Sequence, residues 1–269
     1  AVPPLIEVFF PHRSCMLEPS GVVIIIGLFL VAALYSSVGH GGGSGYLAIL
    51  SLTSYGVFGS IWLKQYAWSL NLIVAGIAFY HYHKAGHHIL KLTIPFIVAS
   101  IPFAMVGGYL EMDGVVFDLL LTLTFVWAAY RLYFVREVDE DSLVIPEMKE
   151  ALPIGASIGF VSGIVGIGGG IFLSPTIHLK KWATPKATAA TAALFIWMNS
   201  AAGLLGSVYS HELHIEIGVL APFAFAVLLG GVLGSRFGSK VASQNLVKGV
   251  LVAVLLIAAT RRAIQFIGI

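Results

Sequence analysis

Two glycine runs stand where a backbone could hold an anion. Gly39-His40-Gly41-Gly42-Gly43-Ser44-Gly45 and Gly166-Ile167-Gly168-Gly169-Gly170 each precede a short apolar segment. If those segments are helices, their first N–H groups lack intrahelical partners and carry a partial positive charge. Glycine lets a ligand approach such a backbone closely. The expected substrate-binding set is Gly39, His40, Gly41, Gly42, Gly43, Ser44, Gly166, Gly168, Gly169 and Gly170, joined by Asn71 and Asn199. Those two amides interrupt otherwise apolar runs and need polar partners inside the protein. Each either donates to a substrate oxygen, braces a glycine loop, or serves only as interhelical glue. The glycines, in turn, either form a site or merely allow breaks and close helix packing.

His40 has no counterpart, because Ile167 holds the matching place. It suits a charge or proton-shuttling role, or a simple bond to a backbone carbonyl. Gln65 is a candidate for lining the same path. Ser36, Ser37, Ser44, Ser69, Thr188 and Thr191 are weaker candidates, since small hydroxyls often satisfy helix carbonyls. His81, His83, His87 and His88 form a histidine cluster. Its spacing matches no zinc pattern, and no cysteine or carboxylate is close by, so it reads as a solvated rim rather than a metal site. Trp62, Trp68, Trp127, Trp182 and Trp197 read as belt or packing residues.

Other chemistry is disfavoured. No Asp or Glu falls in mid-span, with Asp118 near an end, which argues against a cation substrate. There is no GxxxxGK[ST] phosphate loop and no recognisable nucleophile–base pair, so neither an ATP-driven engine nor an enzyme is expected. No cofactor or metal is expected. A net charge of +2 is too small to imply a nucleic-acid partner, and Cys15 alone cannot form an intrachain disulfide.

The elements that must position these groups are membrane segments. The 269 residues are 58% hydrophobic and 10% charged, with mean hydropathy +0.93. Soluble domains carry about 25% charged residues, so lipid is the expected solvent. Apolar runs fall at Val22–Val38, Tyr46–Gly59, Ile61–Tyr82, Leu92–Leu110 and Val115–Val135, and again at Ala151–Val165, Ile171–Leu179, Lys186–Tyr209, Ile215–Phe237 and Asn245–Phe266. Crossing a bilayer takes about 20 helical residues. The first two runs of each set fall short and are expected to be half-helices broken at glycine, a geometry that survives only inside protein. The expected fold is therefore an all-α polytopic membrane protein.

The two sets align. Val38 to Gly43 matches Val165 to Gly170, and Pro95-Phe96 matches Pro222-Phe223, both at an offset of 127 residues (166 − 39). Tyr82 with Tyr209, His87 with His214 and Gly107 with Gly234 keep it, and Asn71 pairs with Asn199 at one residue more. Loop charge then suggests inverted topology. The basic loop around Lys84 and Lys91 aligns with the acidic one around Glu212 and Glu216. The acidic Glu111/Asp113 loop aligns with the basic Arg236/Lys240 loop. The expected organisation is an extramembrane arm at 1–19, a first repeat at 20–135, a cytoplasmic linker at 136–150 and a second repeat at 151–269. Both termini lie outside in this scheme, with Lys180, Lys181 and Lys186 inside. Lys64, Arg261 and Arg262 run against it.

The stretches SVGHGGGSGYLAIL, GIVGIGGGIFLSP and KATAATAALFIWMNSAAGLLG together resemble the TauE/SafE sulfite exporter family. The resemblance covers roughly residues 20 to 267. It implies a multi-pass secondary transporter of the bacterial inner membrane, without a cofactor, for a small sulfur-containing anion such as sulfite, sulfoacetate or an organosulfonate. The expected partners are that anion, the lipid bilayer and a second copy in a homodimer. An anion channel of the same fold, and a membrane metalloenzyme using His81, His83, His87 and His88, are the alternatives.

Overall fold

The computed structural model describes residues 19–111, 114–134, 144–210 and 213–240, with 256 and 260. The expected N-terminal arm up to residue 18, Asp113, Glu212 and the linker over 135–143 lie outside the described residues. So does the last expected segment, Asn245–Phe266 with Arg261 and Arg262, apart from Leu256 and Thr260.

The described chain is helical and contains no strand. The order is α1 (Pro19–Ser36), α2 (Gly43–Leu52), a 3₁₀ turn (Ser54–Phe58), α3 (Gly59–Lys84), α4 (Leu90–Tyr109) and α5 (Gly114–Phe134). Then follow α6 (Met148–Val165), α7 (Gly170–Leu179), α8 (Pro185–Ser210) and α9 (Ile217–Lys240). Equivalent elements match in length: α1 and α6 have 18 residues, α2 and α7 have 10, α3 and α8 have 26. Helix α6 starts earlier than the apolar run, because its exposed first turn accommodates Lys149 and Glu150. The short members are α2 and α7, about 15 Å long at 1.5 Å per residue.

Among the described residues, α4, α6, α8 and α9 are each long and apolar enough to cross a bilayer. Helices α2 and α3, bent by 96° at their junction, make a fifth candidate span. Large apolar side chains such as Ile94, Val98 and Phe103 on α4, and Phe225, Leu229 and Leu233 on α9, face outward. In water these would be a liability; in lipid they are the solvated face. The chain is a polytopic all-α membrane protein.

The core divides into two. One apolar cluster is built mainly on α1, α2, α3 and α9 and also takes in Phe117, Ile164, Val165, Ile167 and Ile171; the other joins α4, α6, α7 and α8. Each bundle thus takes its fourth helix from the other half of the sequence. Close packing makes this exchange work. Gly155, Gly159 and Gly163 of α6 lie one turn apart and abut the Phe96, Ser100 and Ala104 carbonyls of α4. Gly230, Gly234 and Gly238 of α9 likewise abut the Phe29, Ala33 and Ser37 carbonyls of α1. A Cβ at any of these positions would overlap backbone, so the packing role of glycine is real along these two seams. Gly234→Leu is expected to destabilise the protein by about 3 kcal/mol. Gly218→Leu, where a Cβ meets nothing within 4 Å, is expected to be neutral. Thermal unfolding in detergent checks the pair.

The ends of the bundle differ in charge. His81 bonds to Ser235, and the Tyr82 hydroxyl donates to the Ser37 carbonyl, so the C-termini of α3, α9 and α1 share one end. That end also holds the Lys84–Lys91 loop, Lys180, Lys181 and Lys186. At the other end Tyr66 meets Glu216, and Gln65 accepts from the His214 N–H. Glu111 follows α4 there.

Candidate functional site

The two glycine loops come together midway along α3 and α8. Gly42 and Gly169 cap the starts of α2 and α7, both with left-handed backbone (φ 97° and 84°) that favours glycine. Each cap turns the chain so that a short helix folds back: Gly45 packs on Val31 and Tyr35 of α1. Ser44 and Gly45, expected in the loop, belong to the first turn of α2, and Gly170 opens α7. The N-termini of both short helices therefore lie in the protein interior. Every residue from Gly39 to Gly45 and from Gly166 to Gly170 is buried.

Asn71 joins the loops. It is fully buried, and its Nδ2 donates to the Ile167 carbonyl at 3.4 Å and to Ser200 Oγ at 3.2 Å. A carbonyl accepts only, so this bond fixes which end of the amide faces the second loop. Oδ1 then faces Gly41: a Cβ there would lie 2.6 Å from it. A Cβ at Gly43 would lie 2.5 Å from Asn71 Nδ2 and 3.0 Å from the Ile167 carbonyl, and one at Gly168 would lie 3.0 Å from Nδ2. Gly41, Gly43 and Gly168 therefore pack against the same amide. Glycine is required here for close approach, not only for torsion.

His40 ties the loops a second time. Its Nδ1 lies 3.0 Å from the Val38 carbonyl, and its Nε2 lies 3.2 Å from the Gly170 carbonyl and 3.1 Å from Ser174 Oγ. A neutral ring donates to one of those carbonyls, leaving Nε2 or Nδ1 free to accept. Ser44 Oγ is paired with the Tyr35 hydroxyl at 2.8 Å. Gly39 and Gly166 sit at the edges, against Ala189 of α8 and the Lys64 stem of α3.

Several polar atoms in this interior have no hydrogen-bond partner among the described residues. They are Asn71 Oδ1, both amide atoms of Asn199, the Tyr46 hydroxyl and Thr188 Oγ1. Buried polar groups are nearly always paired, and an unpaired one costs about 1–3 kcal/mol. Tyr46 stands beside Gly42, where a Cβ would lie 2.6 Å from its hydroxyl. The arrangement can present two helix N-termini and several free amide and hydroxyl groups to a small polar ligand.

The remaining candidates bond to other protein groups. Ser36, Ser37 and Ser69 donate to the Ala33, Leu34 and Gln65 carbonyls. Thr191 bonds to Thr93 of α4, and Gln65 donates to Ser207. His88 bonds to Thr93, and no group of three metal-type ligands occurs among the described residues. Burial, and then Lys186 beside His87 and His83 beside His88, hold both imidazoles below the ordinary histidine value. These two imidazoles therefore add little positive charge to this end at neutral pH. Tyr46, Ser174 and Ser200 were not singled out in the sequence. Ser174 lies one helical turn beyond Gly170, and Ser200 follows Asn199, so helical spacing from the motifs points to both.

Known membrane proteins resemble this chain along most of its length. The profile of the family described as "Sulfite exporter TauE/SafE" matches residues 22–262. A probable membrane transporter protein of Sinorhizobium fredii is 32% identical over 246 residues, covering 90% of this chain and 97% of that protein. Another, of Methanocaldococcus jannaschii, is 24% identical over 240 residues, covering 84% and 88%. No solved structure matches.

Proposed function

Because the chain belongs to the sulfite exporter TauE/SafE family of membrane transporters, we propose that it is a carrier for a small sulfur-containing oxyanion, held between its two glycine loops. The observation that carries this reading is the convergence of the α2 and α7 N-termini on Asn71, beside amide atoms that have no hydrogen-bond partner among the described residues. Helix N-termini attract anions, and a desolvated interior strengthens that attraction. A sulfur oxyanion offers several acceptors to the N–H groups of both loops and to the Asn199 amide.

The burial of both loops supports alternating access rather than an open pore, since a ligand there is cut off from either end. The His40–Gly170 and Asn71–Ile167 bonds cross between the two bundles and must break when the bundles rock apart. Inverted repeats account for the matched helix lengths, the exchanged fourth helices and the opposed charge of equivalent loops. The basic end is placed in the cytoplasm of a bacterial inner membrane, where its lysines concentrate anions. A cell that is negative inside then drives the anion outward.

The test is flux from proteoliposomes loaded with sulfite, thiosulfate, sulfate, sulfoacetate, taurine or chloride at fixed ionic strength. Saturable efflux of one sulfur oxyanion, accelerated by an inside-negative potential, is the expected result. Non-saturating flux identifies an anion channel of the same fold. No flux of any sulfur anion at millimolar concentration sinks the reading.

A further inference from the structure

A second group of buried donors stands on α3, between the glycine loops and the acidic end. Lys64, Trp68 and Asn71 follow i, i+4, i+7 spacing and share one helix face. Asn71 serves the loops. Trp68 and Lys64 lie one and two turns nearer the Glu111 end, since Lys64 Nζ donates to the Leu110 carbonyl at 3.2 Å.

Lys64 has no exposed surface. An ammonium carries three donors, and the Leu110 carbonyl takes one of them. Among the described residues the ion pairs are Lys149–Glu147 and Lys180–Glu150, so no described carboxylate pairs with Lys64 at contact distance. Exposed Glu111 acts on it only through space. The Trp68 ring lies 5.8 Å from Nζ, and its indole Nε1–H, fully buried, has no partner among the described residues. Buried tryptophan usually finds an acceptor. Residue 203 leaves room beside it by being glycine, because a Cβ there would lie 3.0 Å from Nε1 and 2.7 Å from the ring. Among the described residues the cation has one carbonyl acceptor and no carboxylate, and the indole N–H beside it has none; an intramembrane charge kept at such cost marks a functional position.

We propose that Lys64 and Trp68 form a second anion station, which receives an inorganic oxyanion on its way between the glycine loops and the acidic end. The Lys64 ammonium supplies the charge, and Trp68 Nε1–H supplies a directed donor. The station rests on the carrier reading, because it hands the same anion to or from the loops. It also resolves the position of Lys64 at the acidic end. The charge bias of loops concerns residues in water, and this lysine is inside the protein.

Equilibrium binding of radiolabelled sulfite to the full-length protein in detergent tests it. Wild type is expected to bind two anions per chain, and Lys64→Met one. Trp68→Phe, which removes the N–H and keeps the ring, is expected to weaken one of the two sites about ten-fold, so the outcome does not depend on folding of the lysine variant. A single site in wild type, or two unaltered sites in both variants, overturns the station and leaves the glycine-loop site standing. Loss of one site in Lys64→Met, with no change in Asn199→Leu, keeps the station and overturns the loop reading. No binding in wild type overturns both.

Discussion

Asn199→Leu is expected to cut sulfite flux at least ten-fold while leaving the protein as stable as wild type, or more stable by about 1 kcal/mol. The reason lies in the partners of the amide. Asn199 is 1% exposed, and neither its Oδ1 nor its Nδ2 has a hydrogen bond among the described residues. Folding removes this amide from water and, among the described residues, returns no hydrogen bond. Replacing an unpaired buried polar group by an apolar one of similar size removes that cost. An amide kept only as helix glue would behave in the opposite way, losing stability with flux unchanged. Asn71→Leu is the contrast. It breaks the bonds to Ile167 and Ser200, so both stability and flux fall. Thermal unfolding in detergent and proteoliposome efflux, measured on the same preparations, separate the two roles. A destabilised Asn199→Leu protein with wild-type flux would refute the binding role.

Gly43→Ala is expected to lower flux ten- to hundred-fold with little change in helix stability. Gly43 is the first residue of α2, and alanine is intrinsically better than glycine in a helix by about 0.5–1 kcal/mol. The added methyl finds no room, because it lands 2.5 Å from Asn71 Nδ2 and 3.0 Å from the Ile167 carbonyl. Asn71 must then move, and its bond to the second loop is lost. One methyl group at the start of one short helix thus disturbs the opposite loop. Gly218→Ala, in open surroundings, is the matched control and is expected to transport like wild type. Equal flux in the two variants would mean that the approach of the loops has no part in transport.

Much of this was legible in the chain because lipid imposes simple rules. Segments had to be apolar and of bilayer length, and α3, α4, α5, α8 and α9 fall within a few residues of the apolar runs. The boundaries moved outward where polar residues could sit in an exposed first turn, as at Lys149 and Glu150. The glycine loops were legible because they recur at a constant offset, and a short helix after each was implied by the length of the run. Two things were not legible. Gly155, Gly159 and Gly163 looked like part of an ordinary apolar segment, since a glycine in a seam and a glycine in lipid have the same sequence. Lys64 looked like an anomaly of loop charge, since burial cannot be read from its place five residues into α3.

By itself, the sequence determined a polytopic helical membrane protein with two matching halves, each with a glycine break ahead of a short helix. Hydropathy, helix rise and a repeated motif are local properties, and they need no knowledge of neighbours. Only the tertiary structure decided that the halves exchange their fourth helices, that Gly41, Gly43 and Gly168 close on one asparagine, and that His40 reaches Gly170. It also separated two residues that look alike in sequence, Asn71 with partners and Asn199 with none among the described residues. Those are relations between segments that are not neighbours in sequence, in the case of Asn71 and Ile167 96 residues apart. They depend on which faces pack together, and a pattern of apolar residues alone leaves that choice open.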